Sequence, residues 1–340
     1  MRCGWADNIL VVETDGYTRP CCGEPSVDSR ISELDGDTPL LTAWQSPKLE
    51  YLRQQLKNGY SKLTDPWCKR CRILEESGNK SLRTSQKILG MPGELKALQF
   101  KLSNTCQLAC GHCGESLSSQ HHKYTHGGNG IIRATDNIEL IIKDTIKLLP
   151  QLEWIKFTGG EPWHDRDHWR ILDEMKHLDR SHCELHYITN ALSKVKEHLW
   201  QGWKKVHIDI SVDGLFEKYE WFRQNSKWDI LYEKYDYYVQ QGYDVRVNYS
   251  ITPWTIEDFA QAKKLFQRTR VKANVVTFPE HSSVSMLPKN LLDLPDDTPG
   301  LGLMNGDSKT LNTISNWAQG WDLRWNNIGR SKELYPWLVQ

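Results

Sequence analysis

Regular alternation of predicted strands and helices constrains the fold of this chain more than any other feature. From about residue 94 onward, short apolar strands alternate with helical segments such as TDNIELIIKDTIKLL and IEDFAQAKKLFQR. Repeated strand–helix units predict a parallel sheet with right-handed crossovers, and hence an α/β fold. The predicted strands are Lys96–Leu102, Trp154–Thr158, Glu184–Thr189, Val206–Val212, Val245–Ile251 and Ala273–Phe278.

The predicted strands have one apolar face and one polar face. In VHIDISV, Ile208 and Ile210 alternate with polar neighbours, and VRVNYSIT follows the same pattern. Parallel strands that are buried on both faces are apolar throughout. A partial (β/α)6 TIM-like barrel, with helices outside and polar side chains inside, explains the pattern; the alternative is a sheet with one solvated face. The candidates for the polar interior are Lys101, Asp209, Arg246, Asn248 and Asn274.

The first 76 residues depart from this pattern and predict a small α+β domain. NILVVETDGYTRPCC is typical of a hairpin around the Asp15–Gly16 turn, and SPKLEYLRQQLKNG of a helix that Ser46 caps and Gly59 ends. A linker rich in Gly, Ser and Lys follows. The sequence thus predicts an N-terminal auxiliary domain (1–76), the linker (77–93), the α/β core (94–285) and a C-terminal tail packed on the core (286–340).

Charge and hydropathy limit the expected partners. Lysine and arginine total 43, as do aspartate and glutamate, so the formal net charge is zero and no nucleic-acid partner is expected. No apolar run approaches the roughly 18 residues of a membrane span, and the N-terminus lacks a signal-peptide pattern. We therefore expect no membrane contact and a cytoplasmic location. Nine cysteines in such a chain indicate metal or redox chemistry rather than disulfides.

Three of the cysteines lie in the loop SNTCQLACGHC, directly after the first strand of the core. Cys106, Cys110 and Cys113 have a C-x3-C-x2-C spacing. A structural zinc site takes four ligands, whereas three thiolates bind three irons of a 4Fe–4S cubane and leave the fourth iron open for a small molecule. The loop follows a strand, at the edge where α/β barrels bind their ligands. The spacing therefore predicts a 4Fe–4S cluster with one open iron.

In this position the loop resembles that of the radical S-adenosylmethionine (SAM) enzymes. The resemblance implies that the open iron binds the amino and carboxylate groups of SAM and that one electron from the reduced cluster cleaves SAM. The 5′-deoxyadenosyl radical so formed would take hydrogen from a substrate. The resemblance extends to Gly159, Gly160 and Glu161 after the second strand, where the family holds the SAM amino group.

Other positions match the family more loosely. The resemblance implies that Asn190, Ser211 and Asp213 lie near the ribose and methionine of SAM, and His112 near the adenine. Asn and Asp-Gly after strands are also common turn residues. Arg223 is a candidate partner of the SAM carboxylate or, alternatively, part of a surface salt bridge. The tract HHKYTHGGNG indicates a flexible polar loop over the site, with a metal-binding tract as the alternative.

A second group of cysteines precedes the core. Cys3 and Cys21 belong to a C-x12-G-x4-C spacing, and Cys68 and Cys71 follow as C-x2-C. The arrangement resembles the front half of the SPASM domain, or the shorter twitch domain, of radical SAM enzymes, although those domains usually follow the barrel. The resemblance implies an auxiliary 4Fe–4S cluster on these four thiolates. Cys22 is an alternative to Cys21, and structural zinc is an alternative to the cluster.

These features together predict a radical SAM enzyme with two clusters. A four-thiolate auxiliary cluster favours oxidative modification of a peptide, a protein or a small molecule, because it can accept an electron from a substrate radical. A low-potential donor such as flavodoxin or ferredoxin would reduce the SAM cluster. The alternatives are a non-catalytic zinc or iron–sulfur scaffold, and a redox protein that uses Cys68 and Cys71 as a dithiol. No catalytic acid or base stands out in the sequence.

Overall fold

The structure is a computed structural model of the 340-residue chain, and it describes residues 2–23, 26–76, 78 and 80–339. The described residues form two compact units. Their division differs from the four predicted segments, whose boundaries stay predictions. Unit 1 draws its residues from Met1–Thr105, Gly128–Tyr187 and Val195–Val206, and unit 2 from Cys106–Gly127, Ile188–Lys194 and His207–Gln340.

Short strands and helices alternate along most of the chain. The strands are β1 (Ile9–Val12), β2 (Thr18–Arg19), β3 (Ala97–Phe100), β4 (Ala109–Cys110), β5 (Trp154–Phe157), β6 (Arg180–Thr189), β7 (Trp203–Val212), β8 (Arg223–Gln224), β9 (Asp244–Ile251) and β10 (Arg270–Val275). The α-helices are α1 (Gly4–Asn8), α2 (Pro39–Trp44), α3 (Pro47–Lys57), α4 (Asp65–Glu76), α5 (Leu82–Ser85), α6 (Ser119–His126), α7 (Ile138–Leu148), α8 (Arg166–Glu174), α9 (Phe216–Phe222), α10 (Trp228–Gln240), α11 (Phe259–Leu265), α12 (Ser308–Arg324) and α13 (Arg330–Leu334).

Unit 1 contains a mainly parallel sheet. Its strands follow the order β2-β1-β3-β5-β6, and only β2 runs antiparallel to its neighbour. The sequence did not predict that β1 pairs in parallel with β3, with Ile9 opposite Ala97. All four residues of β1 are buried, as expected for an inner parallel strand. The predicted hairpin of β1 and β2 is present, with Gly16 at φ +81° in its turn.

Unit 2 contains three parallel strands and a small ribbon. From His207 onward β7 pairs with β9, and β9 pairs with β10. β4 and β8 form a separate antiparallel pair. Alternate residues of β9 are buried, and α10 contacts this strand, so the apolar face of the strands is covered by helix. This packing is the expected one for an α/β unit.

The predicted α/β class, with its parallel strands, is confirmed, and the ends of the strands differ from the prediction. β6 begins at Arg180 rather than Glu184, and β10 runs to Val275 rather than Phe278. β10 ends there because its partner β9 ends at Ile251, which is opposite Val275. Neither unit closes a barrel within the described ranges.

Helix signals in the sequence were reliable where capping residues marked them. In α3, the Ser46 hydroxyl accepts the Leu49 N–H at 3.3 Å, Pro47 opens the first turn, and Gly59 follows the end at φ +95°. None of the helices in the described part of the chain is both long and apolar enough to cross a membrane.

Candidate functional site

The predicted cluster loop, Cys106–Cys113, lies in unit 2 and is held by strand pairing. Its β4 residues pair with β8, so that Cys110 stands opposite Arg223. The Gly111 N–H also donates to the Phe222 carbonyl at 2.8 Å. A Cβ added at Gly111 would lie 2.5 Å from the Phe222 ring. Glycine is therefore required there for the close approach of the loop to this ring.

The three cysteines of the loop come together in the fold. Cys106, Leu108 and Cys110 are buried in one apolar cluster, against which Cys113 packs. The Cys113 N–H donates to the Cys110 carbonyl at 3.0 Å, which closes the C-x2-C turn. The Leu108 N–H donates to the Cys106 sulfur at 3.4 Å. Thiols that accept backbone N–H hydrogen bonds in apolar, solvent-excluded surroundings match the ligand environment of an iron–sulfur cluster.

Two histidines, which sequence reasoning did not identify, hold the backbone of the loop. His121 Nε2 lies 3.0 Å from the Cys110 carbonyl, and His281 Nε2 lies 2.8 Å from the Gly111 carbonyl. His281 also stacks on Trp317, with ring centroids 4.2 Å apart and an interplanar angle of 10°. Burial lowers the pKa of both imidazoles, which favours the neutral form with Nε2–H donating to the carbonyl.

The segment that holds His121 corrects one prediction. HHKYTH was expected to be part of a flexible polar loop, but Ser119–His126 forms α6. His121 is 6% exposed, and its ring lies 5.9 Å from that of Trp321. A histidine that binds a distant carbonyl leaves no local signal in the sequence, because the contact depends on the packing of the helix.

A buried ion pair lies beside Cys110. Asp213 follows β7, and its Oδ2 accepts the Arg223 Nε–H at 2.6 Å. Both side chains are buried, so the surface salt bridge considered for Arg223 is wrong. Burial favours the neutral carboxyl, but Arg223 and His112 outweigh it and lower the pKa of Asp213. The pair is therefore charged at neutral pH.

The remaining predicted positions of unit 2 differ in their contacts. The His112 ring stacks on Phe222 at 5.6 Å between centroids, and its Nδ1 lies 3.6 Å from Asp213 Oδ2. Asn190 Oδ1 accepts from Gln107 Nε2 at 3.1 Å, within the cluster loop. Ser211 is half-buried on β7. His112 and Asn190 thus lie against the loop, and the roles of these residues toward SAM stay predictions.

In unit 1, the glycines of the GGE motif allow close backbone packing. Gly159 has φ +113°, and the Gly160 N–H donates to the Ser103 carbonyl at 3.1 Å. A Cβ added at Gly160 would collide with backbone atoms, including the Asn104 carbonyl carbon at 2.6 Å. The close approach is to residues 103–105, the segment between β3 and the cluster loop, and an approach of these glycines to SAM stays a prediction.

Glu161 is fully enclosed in unit 1. It is 1% exposed, and its Oε1 accepts the Trp163 N–H at 3.0 Å, at the start of a 3-10 turn. The Glu161 N–H donates to the carbonyl of Thr105, the residue that precedes Cys106 in the chain. The capping hydrogen bond fixes the orientation of the carboxylate. A fixed orientation is what a carboxylate needs in order to bind an ammonium group. Its role toward SAM stays a prediction.

The second group of cysteines also comes together, entirely within unit 1. Cys3 precedes α1, Cys21 follows β2, and Cys68 and Cys71 lie three residues apart on α4. Residues three apart on a helix share a face. Cys3, Cys21 and the adjacent Cys22 pack on one core cluster, which the N-terminal helix, β1 and β3 supply. Three separate chain segments thus bring four thiols to one place.

The pKa shifts of the N-terminal thiols indicate which of these thiols lie close to one another. Burial raises the pKa of Cys21 well above its usual value, and charges on Cys22 and, to a smaller extent, on Cys3 and Cys68 act in the same direction. Burial likewise raises the pKa of Cys3 to about 11, and Cys71 adds to that effect. Such thiols are protonated without metal, and binding a positively charged iron centre would favour the thiolates.

Both donor sets fit iron–sulfur clusters. Each thiolate of a cubane binds a different iron, so the three thiols of the loop would leave one iron open and the four N-terminal thiols would leave none.

Comparison with protein families assigns the chain. Residues 100–266 match the radical SAM superfamily, and residues 3–72 match the iron–sulfur cluster-binding SPASM domain. Residues 100–266 are therefore a domain of the radical SAM superfamily, and residues 3–72 are a SPASM-type domain on its N-terminal side. This membership implies a 4Fe–4S cluster with SAM in the first range and auxiliary iron–sulfur binding in the second.

Similar solved structures are more distant. Hexahistidine-tagged anSMEcpe with bound AdoMet is 16% identical at a TM-score of 0.41, over 68% of this chain and 60% of that one. Streptococcus suis SuiB bound to its precursor peptide SuiA is 14% identical at 0.41, over 95% and 70% of the two chains. TsrM from Kitasatospora setae is 13% identical at 0.38, over 56% and 39%. This chain thus spans less than two thirds of the first of these structures. No curated protein matches the chain.

Proposed function

We propose that this chain is a radical SAM enzyme whose SAM cluster binds Cys106, Cys110 and Cys113. The observation that carries the proposal is the cluster loop, in which strand pairing and two histidine contacts gather three thiols. Three protein ligands leave one iron of a cubane open for a cosubstrate. When bound and reduced, such a cluster supplies the electron that cleaves SAM to a hydrogen-abstracting radical.

Different residues of the two units have different roles toward SAM in this proposal. In unit 1, Gly159 and Gly160 let the backbone approach SAM, and Glu161 accepts its ammonium group. In unit 2, Asp213 and Arg223 keep charged groups beside the loop, where they bind and orient polar parts of SAM. The remaining proposed contacts of SAM in unit 2 are His112, Asn190 and Ser211.

The N-terminal thiols support an oxidative reaction. Cys3, Cys21, Cys68 and Cys71 would supply four ligands, which leaves no iron of an auxiliary cubane open. Such a centre can accept an electron from a substrate radical. We propose a peptide, protein or small molecule as substrate, and a flavodoxin- or ferredoxin-type protein as electron donor. We propose a cytoplasmic location, where reduced thiols are available for clusters.

The scaffold alternative is disfavoured. A non-catalytic iron–sulfur or zinc module has no need of a three-ligand loop, because a structural site is closed by four protein ligands. The dithiol alternative is also disfavoured, because Cys68 and Cys71 share the surroundings of Cys3 and Cys21.

The test is an anaerobic SAM-cleavage assay. The full chain would be reconstituted with iron and sulfide, mixed with SAM and dithionite, and assayed for 5′-deoxyadenosine. We expect product from the wild type and only background from Cys106→Ala, Cys110→Ala and Cys113→Ala. Iron should fall from about eight to about four atoms per chain in these variants.

Cys183→Ala is the matched control, because this thiol is buried in β6 outside both cysteine groups. It should keep both its iron and its SAM cleavage. Wild-type protein that holds a full complement of iron yet cleaves no SAM would contradict the enzyme assignment and favour the scaffold. Stoichiometric zinc in place of iron at the N-terminal thiols would contradict the auxiliary cluster.

A further inference from the structure

The short helix α5, which falls within the predicted linker, lies beside the N-terminal thiols of unit 1. Its first residue, Leu82, packs on the same apolar cluster as Cys3 and Cys21. A Cβ added at Gly23, two residues after Cys21, would lie 2.6 Å from Leu82 Cδ1 and 3.7 Å from Cys21 Sγ. Leu82 is therefore close to the Cys21 sulfur, and α5 forms one wall of the thiol site.

Helix α5 is held locally by a cap and is anchored beyond its C-terminal end. The Ser81 hydroxyl accepts the Thr84 N–H at 3.2 Å, and Thr84 Oγ1 accepts the Ser81 N–H at 2.8 Å, which is a capping box. Farther along the chain, the buried Asn8 side chain donates to the carbonyl groups of Met91 and Glu94, at 3.0 Å each. These contacts leave the attachment of α5 to the thiol site to a separate set of side chains.

That attachment is an ion pair between α5 and α4. Arg83 Nε donates to Glu75 Oε1 at 3.0 Å, and Arg83 Nη2 donates to Glu75 Oε2, so the pair is bidentate. The hydroxyl groups of Tyr60 and Ser81 also donate to Glu75 Oε1, the former at 2.9 Å. The Glu75 and Arg83 side chains are 18% and 21% exposed. A bidentate, largely buried pair with further donors is stronger than an ordinary surface salt bridge.

Glu75 lies on the helix face that carries two of the thiols. On α4 it follows Cys71 by four residues and Cys68 by seven, so the three side chains share one face. An iron–sulfur cluster with four thiolate ligands carries net negative charge, and a carboxylate beside it is repelled. The Arg83 guanidinium neutralises Glu75 and so offsets this repulsion. One residue of α5 therefore both fastens the wall of the site and balances the charge next to it.

We propose that Glu75 and Arg83 form a latch, which fastens α5 against the N-terminal thiols and limits the access of solvent and chelators to the metal bound there. When the pair is broken, α5 moves away and the metal is exposed. Both residues act through α5, so they are positioning residues and not ligands. The proposal rests on the auxiliary site proposed above and adds the contact that guards it.

The test measures the rate at which iron leaves the N-terminal site. The protein is the full chain with Cys106, Cys110 and Cys113 changed to alanine, reconstituted anaerobically so that the N-terminal thiols alone hold iron. The probe is bathophenanthroline disulfonate, whose absorbance reports the released iron(II). We expect Arg83→Gln to release iron about tenfold faster, because the bidentate pair is lost. Arg83→Lys keeps the charge without the bidentate geometry and should restore part of the protection.

Arg72→Gln is the matched control. Arg72 pairs with Asp65 and Glu76, which lie on the same helix α4, so its loss frees no other segment. It should leave the rate of iron release unchanged. Glu75→Gln should speed the release, and adding Arg83→Gln to it should change the rate little, because both substitutions break one pair. Equal acceleration by Arg72→Gln, or full additivity of the two latch substitutions, would overturn the proposal.

A second measurement needs no cluster. Alkylation of the metal-free, reduced full chain with iodoacetamide, followed by mass spectrometry, gives the modification rate of each cysteine. We expect Cys3 and Cys21 to react faster in Arg83→Gln than in the wild type, and Cys183, which is buried in β6, to keep its rate. Unchanged alkylation of Cys3 and Cys21 would overturn the latch.

The alkylation result also separates the latch from the function proposed above. Wild-type protein whose N-terminal thiols take up no iron would contradict the auxiliary cluster, and faster alkylation in Arg83→Gln would still support the latch. Iron uptake with equal alkylation rates would contradict the latch and leave the auxiliary cluster intact. The two proposals therefore fail separately.

Discussion

The two cysteine sites of this chain are assembled in opposite ways. The cluster loop takes its three thiols from Cys106–Cys113, a single short stretch in unit 2. The N-terminal site of unit 1 takes four thiols from a helix start, a strand end and the middle of α4. A local site can be read from spacing, whereas a dispersed site depends on the fold that brings its segments together. The first is thus specified by sequence and the second by packing.

The two cysteine sites are also held in place by different kinds of interaction. Backbone pairing with β8 and the imidazoles of His121 and His281 fix the cluster loop. The N-terminal thiols instead pack on an apolar core that includes Trp5 and Ile9. Polar contacts set the direction of individual peptide groups, while apolar packing only brings side chains close. We therefore expect the cluster loop to be sensitive to single hydrogen bonds and the N-terminal site to be sensitive to its ligands.

The largest effect should come from removing a ligand of the dispersed site. Cys21→Ser should lose about four irons per chain and the oxidised product, yet retain SAM cleavage, because the loop thiols are untouched. Cys22→Ser is the matched control and should keep its iron, since Cys21 is coupled to both Cys3 and Cys68. Iron analysis and 5′-deoxyadenosine assays measure both. Iron loss in Cys22→Ser alone would reverse the assignment of this ligand.

Next in size is a steric change in the GGE motif. Gly160→Ala puts a Cβ against the backbone of Asn104, so we expect the free energy of unfolding to fall by about 3 kcal/mol and SAM cleavage to be lost. Gly114→Ala, where an added Cβ meets no atom within 4 Å, should change neither. Urea unfolding and the cleavage assay test this. Equal tolerance of the two substitutions would show that close packing at Gly160 is not required.

Breaking the buried ion pair of unit 2 should lower the free energy of unfolding by a similar or slightly smaller amount. Asp213→Asn leaves Arg223 buried without its counter-charge, which should cost about 3 kcal/mol of stability. Asp236→Asn breaks the exposed pair with Arg268 and should cost less than about 1 kcal/mol. Denaturant unfolding of cluster-free protein separates this cost from cluster loss. Similar costs for the two substitutions would argue against the buried pair as a support of the loop.

The smallest effect should come from one hydrogen bond to the loop. His281→Ala removes the donor to the Gly111 carbonyl and the stack on Trp317, at a cost of about 1 kcal/mol. His281→Gln can restore the donor and should recover part of the loss. His177→Ala, an exposed imidazole in unit 1, is the control. An unchanged electron paramagnetic resonance spectrum of the reduced SAM cluster in His281→Ala would show that the contact does not position the loop.

Much of the fold and part of the site were predictable. Period-two alternation marked the strands at Val206–Val212 and Val245–Ile251, because apolar and polar residues alternate there regardless of the neighbouring strands. The parallel pairing of β1 with β3 was missed, since a short apolar run gives no information about its partner. For the same reason the end of β10 was displaced, as it depends on where the adjacent strand β9 ends.

Some properties of this protein follow from its order of residues alone. These are the α/β class and the grouping of three cysteines in one C-x3-C-x2-C loop, because each depends on neighbours within a few residues. Other properties arise only when distant segments pack: the proximity of Cys21 to Cys3 and Cys68, the histidines on the cluster loop, and the Asp213–Arg223 pair. Contacts between residues far apart in the chain are set by how helices and strands pack, and local sequence does not encode that packing.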